Sequence, residues 1–490
     1  MPTGVEALCS PRRAVSLPHL ALMLIGALTL WRFGFGLFDA TELSTDEAQY
    51  WVWGQAPSLG AYSKPPLIGW LIGAVTTVFG ASVATVRLPA VFLHLAVALA
   101  IFALGRRLAT SRVAAVAALG YATAPAVTLG SALMTTDTPL LLAFALALIA
   151  QCDLAQARAQ GRSQPGKAAA LGLAVALGAL AKYAMLYGLL GMALAAVLSP
   201  RWRIGRGDLA LAAGVALIVL APHLVWLLDH GFVTFRHLSD TATGPVRGLD
   251  PLEPLRFLAS QFAVFGPILF PAAVLAGARR SEVGLIALAV VPIAIVSLQA
   301  FGGKALANWA VLSLVPAALL AAPLLAARPR LLAVSLTLGG ALALAVPAAR
   351  ALAPELRLPD GREVFARYLG HAALAEQVLA LARAHGAPTL VAADRDLLAD
   401  LAWFGRDTRL ALRAVPPQGR PRNHWEMTAP FRAQTDALPV LLVQRSGAAM
   451  PCPAAPVLAR IAPTTGFARG SDVTLSLLSD ASCLEGPGRP

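Results

Sequence analysis

The sequence predicts an all-α polytopic membrane protein with a small α/β domain at its carboxyl end. Hydrophobic residues make up 57% of the 490-residue chain and charged residues only 13%, and the mean hydropathy is +0.68. A soluble protein of this length needs far more charge to cover its surface. Apolar runs close to twenty residues recur through the first 350 positions, long enough to cross a bilayer as helices. From Ala351 to Pro490 the composition becomes richer in charge and proline. Backbone groups in lipid must be satisfied internally, and runs this continuous suit helices rather than barrel strands.

The first span is expected at Leu17–Phe38, with Arg12 and Arg13 on its inner flank. That run is too long for a cleaved leader, so a retained anchor is expected. An outer segment follows over 39–82. Its part Asp39–Pro66 reads as a loop carrying the interfacial aromatics Tyr50, Trp51, Trp53 and Tyr62, and Leu67–Gly80 as a short helix at the interface. Further spans are expected at Val83–Leu104, Val113–Ala132 and Thr138–Ala155. The stretch Ala168–Leu198 has basic turns on both sides, with Arg158, Arg162 and Lys167 before it and Arg201, Arg203 and Arg206 after it. Equal charge on both sides requires an even number of crossings. The stretch is therefore read as two short helices with Lys182 near their outer turn. Leu209–Leu228, an outer polar loop at Asp229–Pro254, and spans at Leu255–Ala276, Val283–Ala300, Ala310–Ala326 and Leu331–Ala348 complete the membrane part. Arg279 and Arg280, then Arg328 and Arg330, mark its later inner turns. This makes about eleven spans, within a range of nine to thirteen. Residues 1–350 form the membrane domain, with the amino terminus inside, and 351–490 an outer domain. There, Glu363–His385 has helical periodicity, and Thr389–Ala393, Leu438–Gln444 and Val473–Leu478 read as strands.

The net charge of +13 follows from basic inner turns and calls for no nucleic acid. Cys9, Cys152, Cys452 and Cys483 have no metal-ligand spacing. Cys452 and Cys483 close a loop of about 30 residues, and both a disulfide and two free thiols remain open. No internal repeat is visible, which counts against an inverted-repeat transporter.

Asp46 and Glu47 are adjacent at a membrane boundary in a chain with only 26 acidic residues. Carboxylates are costly there and usually serve ions, protons or catalysis. On this topology Asp46, Glu47, Lys64, Arg87, Asp137, Lys182, Asp229, His230, Arg236, His237 and Lys304 gather at the outer face. Each has a plainer alternative. Asp137, followed by Pro139, could be a helix cap, and Lys64 before Pro65–Pro66 a headgroup anchor. Lys304 and Asn308 fit an interfacial loop equally well. Lys182 is harder to explain away, because an ammonium in an apolar hairpin needs an anion. Together the acids and bases suit one chemistry: a carboxylate takes the proton of an acceptor hydroxyl, and fixed cations hold the phosphate of a departing lipid carrier. The rival is an ion- or proton-coupled transporter or flippase, whose acids belong at mid-membrane. Pro421–Pro430 is either a lid or an ordinary surface loop, and His424 with Glu426 is too small a set for a metal site.

The segments Thr45-Asp-Glu-Ala-Gln-Tyr-Trp-Val-Trp53, Lys64-Pro-Pro-Leu-Ile-Gly-Trp70 and Val86-Arg-Leu-Pro-Ala90 resemble the membrane glycosyltransferases of the GT-C fold. Thr136-Asp-Thr-Pro-Leu140, Leu180-Ala-Lys-Tyr183 and Lys304 to Trp309 extend the match, which covers roughly residues 20 to 350. The nearest group is the bacterial protein-mannosyltransferase and aminoarabinose-transferase type. The resemblance implies inverting transfer of a sugar from a polyprenyl (undecaprenyl) phosphate to an envelope acceptor. That acceptor would be lipid A or lipopolysaccharide, another glycan, or a protein, reached at the periplasmic face of a bacterial inner membrane. It places Asp46 at the acceptor, Glu47 as its support and Asp137 at the second acidic position. Lys64, Lys182, Tyr62, Tyr183, Arg87, Lys304 and Asn308 are the implied donor-binding set. Many family members carry Asp-His before the two prolines; Ser63-Lys64 here favours Lys64 as a phosphate ligand and leaves the sugar open. No cofactor is firmly implied, and a divalent cation is left open. A topology reporter fused after Lys182 should read outside the cytoplasm; a cytoplasmic signal would overturn the two-helix reading of Ala168–Leu198.

Overall fold

The computed structural model describes residues 16–243, 249–279, 282–446 and 451–485; Cys9, Arg12, Arg13 and Arg280 lie outside them. The membrane part begins with α1 (Leu17–Gly36), α2 (Thr45–Gln55), α3 (Leu67–Phe79), α4 (Val83–Leu108), α5 (Ser111–Ala122), α6 (Pro125–Gly130) and α7 (Asp137–Ala159). It continues with α8 (Pro165–Ala181), α9 (Met185–Leu198), α10 (Arg206–Asp229), α11 (Val233–Thr243), α12 (Leu252–Phe265) and α13 (Leu269–Ala278). It ends with α14 (Val283–Ala300), α15 (Leu314–Ala326) and α16 (Pro329–Ala351). Among the described residues, seven helices are long and apolar enough to cross a membrane, or eight if the bent pair α12–α13 counts as one. The remaining expected crossings fall on α8, α9 and the broken pair α5–α6, which are shorter.

Four expected elements differ for local reasons. Val113–Ala132 is not one helix: Ala124, which precedes Pro125, is extended (φ −64°, ψ 141°), as the proline ring demands of its neighbour. Leu255–Ala276 bends by 114° between α12 and α13, where Gly266 takes φ +101°, a conformation closed to side chains with a Cβ. The outer loop after α10 holds a helix of its own, α11. The segment after Asp39 is likewise not a loop throughout. Ser44 accepts the Glu47 N–H, and the Glu47 side chain accepts the Ser44 N–H. This capping box starts α2 at Thr45, so Asp46 and Glu47 stand in the first turn of a helix. Next, α2 packs on α3 through glycines. A Cβ at Gly73 would lie 2.5 Å from the Gly54 carbonyl oxygen, too close for any side chain.

The break expected at Lys182 is present: Lys182 is extended (φ −161°, ψ 136°) and ends α8. The two short helices pack apart, α8 against α7 and α10, α9 against α14. The middle of the bundle is α15, where Leu314, Val315, Ala318, Ala321 and Leu325 are at most 1% exposed. Outward residues such as Leu338 and Leu344 of α16 remain exposed, as lipid-facing positions do.

The carboxyl-terminal domain holds α17 (His371–Ala384), β1 (Thr389–Ala392), α18 (Arg395–Phe404), β2 (Ala411–Ala414), α19 (His424–Thr428), β3 (Val440–Arg445), β4 (Val457–Ile461) and β5 (Val473–Leu478). The sheet order is β2-β1-β3-β5-β4. Strands β1, β2 and β3 are parallel, and β5 is antiparallel to β3 and β4. Three strands match the sequence reading. Two were missed, β2 and β4, whose half-exposed residues carry no clear apolar alternation. The helix expected from Glu363 starts only at His371, after Gly370 at φ +84°. Both faces of the sheet are covered. Leu390, Leu441 and Leu475 face one apolar cluster, and Val391, Leu442 and Leu478 face another, in the alternation expected of strands.

The first of these clusters also contains Tyr50, Trp51, Trp53, Ile68 and Ile72, so the domain and the helices α2 and α3 share a core. Trp51 meets Trp403 edge-on with ring centroids 5.0 Å apart. Glu42 accepts the backbone N–H groups of His371 (2.6 Å) and Ala372 (3.2 Å). It thereby caps α17, whose own Gly370 has no side chain to do so. Cys452 and Cys483 form a disulfide across 31 positions. Cys452→Ala should lower stability by roughly 3–4 kcal/mol in the chain-entropy view. Thermal unfolding of the purified protein with and without reductant checks this, and an unchanged midpoint would contradict it.

Candidate active site

Glu47 is 1% exposed and accepts five hydrogen bonds. They come from Arg87 Nε (2.9 Å) and Nη2 (3.0 Å), Ser44 N and Oγ (3.0 Å each) and Met134 N (3.2 Å). Burial pushes its carboxyl up, but the Arg87 guanidinium and the Ser44 N–H outweigh that and hold it below its ordinary range. Arg87 in turn uses all its remaining donors, on Asp39 Oδ2 (2.9 Å), Thr41 Oγ1 (2.8 Å) and the Glu42 carbonyl (2.7 Å). Arg350 of α16 joins Asp39 at 2.9 Å. Glu47, expected as the support of Asp46, and Arg87, expected in the donor-binding set, are therefore inside the protein, fully engaged. Glu47 and Arg87 position other groups: Glu47 ties the start of α2 to the segment entering α7, where Asp137 lies.

Asp46, one residue earlier, points the other way. Its side chain is 51% exposed and meets Arg395 Nη2 at 2.6 Å. Asp137 bonds Lys182 Nζ at 2.6 Å and Asn308 Nδ2 at 2.7 Å. Asn308 belongs to a 3₁₀ turn over Ala307–Ser313 that leads into α15. Lys64 makes no side-chain hydrogen bond or ion pair among the described residues. Burial pushes its ammonium below the usual lysine range, and Lys182 adds to this, against the pull of Asp46 and Asp137. Those four charges and Arg395 thus lie within electrostatic reach of one another. Tyr50 backs them; burial, with Asp46 next, pushes its hydroxyl well above the usual range.

Helix α11 closes this region from the side. Thr234 Oγ1 donates to the Ala61 carbonyl (2.9 Å), Phe235 stacks on Tyr183 at 4.4 Å, and His237 lies 5.1 Å from the Tyr62 ring. Burial lowers the His237 imidazole, and Lys64 lowers it further. Tyr62 donates to the Pro421 carbonyl (3.0 Å), and the Tyr183 hydroxyl pairs with His223 Nε2 (2.9 Å). Lys304 is exposed; its carbonyl accepts from Gln299 Nε2 (3.0 Å), and its ammonium does not join the cluster. The stretch 421–430 is neither a free loop nor an open lid: Asn423, Trp425 and Glu426 are buried. The two Glu426 oxygens are taken by Arg422 and Asn423. No group of three or more His, Cys, Asp or Glu among the described residues is placed to hold a metal ion.

Residues 63–226 match the family described as dolichyl-phosphate-mannose-protein mannosyltransferase. Over 477 residues the chain is 36% identical to the lipid A galacturonosyltransferase RgtD of Rhizobium johnstonii, covering 95% of this chain and 99% of that protein. This chain belongs to the GT-C membrane glycosyltransferases. The fold of this glycosyltransferase is also that of ArnT from Cupriavidus metallidurans. In the apo state that structure aligns with a TM-score of 0.65 at 16% identity, covering 94% of this chain and 98% of that one. The form bound to undecaprenyl phosphate aligns at 0.63, with the same identity and coverage. A multi-pass glycosyltransferase replaces the transport alternative, and Asp46 stands on α2, outside the long spans.

Sequence reading missed Arg395. It is a single arginine in the other domain, 349 positions from Asp46, and no local pattern marks it. Glu47→Gln should cost roughly 3–5 kcal/mol, because it strips a buried cation of a charged partner. The folded Glu47 carboxyl titrates below its unfolded value of about 4.3. Its contribution is therefore complete above that pH and is lost as pH falls through the folded value. Thermal midpoints of both proteins between pH 6 and pH 2 test this: the gap should hold above about pH 4.3 and narrow below it, and a gap that stays constant or widens over the whole range would contradict it.

Proposed function

We propose that this enzyme transfers a uronic-acid sugar from a polyprenyl phosphate to lipid A at the periplasmic face of the inner membrane. The observation that carries the reading is the cluster of Asp46, Asp137, Lys64 and Lys182. It unites an accessible carboxylate with cations suited to a phosphate. Likeness to a lipid A galacturonosyltransferase over nearly the whole chain supports the sugar and the acceptor. The ArnT fold, known with undecaprenyl phosphate bound, supports the donor. Basic inner turns and a disulfide in the outer domain support the orientation.

The chemistry follows from the residues. An acceptor hydroxyl approaches Asp46, whose half-exposed oxygens can be reached from solvent. Its oxygen attacks the anomeric carbon from the face opposite the phosphate. The bond from that carbon to the phosphate oxygen breaks, and the hydroxyl proton passes to Asp46. The configuration inverts. The lipid phosphate leaves with one additional negative charge. Lys64, which has no ion-pair partner among the described residues, and Lys182, shared with Asp137, stabilise that charge where it develops. Asn308 holds the other Asp137 oxygen and keeps it from turning toward the phosphate. Tyr62 and Tyr183, anchored through their hydroxyls, line the approach.

Asp46→Asn should lower transfer by about 10²–10⁴-fold, the usual worth of a general base, with binding of polyprenyl phosphate retained. Lys64→Ala should weaken that binding. Mass spectrometry of lipid A after reaction with lipid-linked sugar reads the transfer, and a fully active Asp46→Asn enzyme would remove the base assignment.

A further inference from the structure

The ion pair between Asp46 and Arg395 poses a problem that the substrate must solve. Arg395 occupies Oδ1 of Asp46 at 2.6 Å and leaves only the other oxygen for the acceptor proton. An arginine cannot neutralise itself by losing a proton, so once displaced it needs another anion. Of the described acids near it, Asp240 of α11 is exposed to water, and the others are engaged. Its neighbours Asp394 and Asp396 are both engaged by Arg445, Asp394 through the backbone N–H (3.4 Å) and Asp396 through the guanidinium. Asp137 is held by Lys182 and Asn308. Three cations, Lys64, Lys182 and Arg395, face two carboxylates, Asp46 and Asp137. A phosphodiester donor brings one negative charge, which the lysines can use.

The remaining guanidinium is well presented. Arg395 is the first residue of α18, with Asp394 before it at the N-cap, and its side chain is 38% exposed. Among the described residues its side chain makes no other hydrogen bond than that to Asp46. Its other N–H groups are therefore open, in the planar fork that matches a carboxylate bidentately. A cation at a helix N-terminus is disfavoured by the helix dipole, so the residue contributes little to α18 itself. The shared core of α2 and the outer domain, with Trp51 against Trp403, fixes the distance between the two halves of the pair.

We infer that Arg395 is the specificity residue for the donor sugar: the uronate carboxylate takes the guanidinium from Asp46, and in doing so leaves both Asp46 oxygens open to the acceptor hydroxyl. This rests on the uronosyl reading above. A neutral hexose would leave Arg395 on Asp46 and one of its two oxygens taken. A cationic sugar would be repelled. Charge on the sugar is thus sensed by the outer domain and relayed to the base on α2.

The test uses the full-length protein in detergent or lipid with two donors that share one polyprenyl phosphate, galacturonosyl and galactosyl. Wild type should prefer the uronosyl donor, and Arg395→Gln should shrink the ratio of the two kcat/KM values by about 10- to 100-fold, the worth of a charge-assisted hydrogen bond. The change should fall mainly on the KM of the uronosyl donor. Arg395→Lys, which keeps charge but not the fork, should retain an intermediate preference. Equal losses for both donors would overturn the inference and leave Arg395 a positioning residue for Asp46. So would a loss that tracks the phosphates of the acceptor, seen by comparing lipid A with its dephosphorylated form. A wild-type enzyme that transfers galactose but no galacturonic acid would overturn the uronosyl reading itself, a result distinct from an unchanged ratio in Arg395→Gln.

Discussion

The buried contact between Glu47 and Arg87 organises the end of the bundle that meets the sheet domain. Two charges taken out of water are tolerated only when geometry is good and the remaining donors and acceptors are satisfied. Here they are: Arg87 spends every N–H on Asp39, Thr41, Glu42 and Glu47, and Glu47 also accepts from Ser44 and Met134. The network joins α4, the chain leaving α1, the first turn of α2 and the approach to α7. Arg350 brings in α16 through Asp39. Asp46 is the residue before Glu47, and Asp137 lies three residues after Met134, whose N–H Glu47 holds. Adjacent acids therefore stand in opposite surroundings, one buried in the network and the other half-exposed.

The second constraint is the shared core between the sheet domain and α2 with α3. An outer domain resting on its own core would be free to tilt on the bundle. Instead Tyr50, Trp51 and Trp53 lie in one apolar cluster with Leu397, Leu398 and Trp403, and Glu42 caps α17 across the junction. This packing lets an arginine of one domain and an aspartate of the other form a contact at 2.6 Å. The bundle supplies Lys64 and Lys182, and the sheet domain supplies Arg395.

Helix breaks serve the same end. Lys182 sits where α8 stops, and Asn308 in a 3₁₀ turn before α15 begins. Both reach Asp137 at the start of α7. Chain ends within a bundle are where side chains can converge, since a continuous helix spreads its polar groups along its length. The short α11 then covers this convergence, through Phe235 on Tyr183 and His237 near Tyr62.

Much of this was legible in the chain alone. Apolar runs and basic turns mark a helical membrane protein, because lipid demands both and the demand acts residue by residue. The neighbourhood of Asp46, Lys64, Asp137 and Lys182 also follows from topology, since the order of the spans puts these four positions on the same side. Local turn chemistry was partly hidden: the Ser44 capping box and the break at Gly266 override patterns that read as a loop and as a single span. What only the tertiary structure decided is how the charges pair. Glu47 rather than Asp46 faces Arg87, Lys304 stays apart, and Arg395 arrives from 349 positions away. Pairing depends on distances of a few ångströms between separate elements, and sequence patterns report only what each element needs for itself.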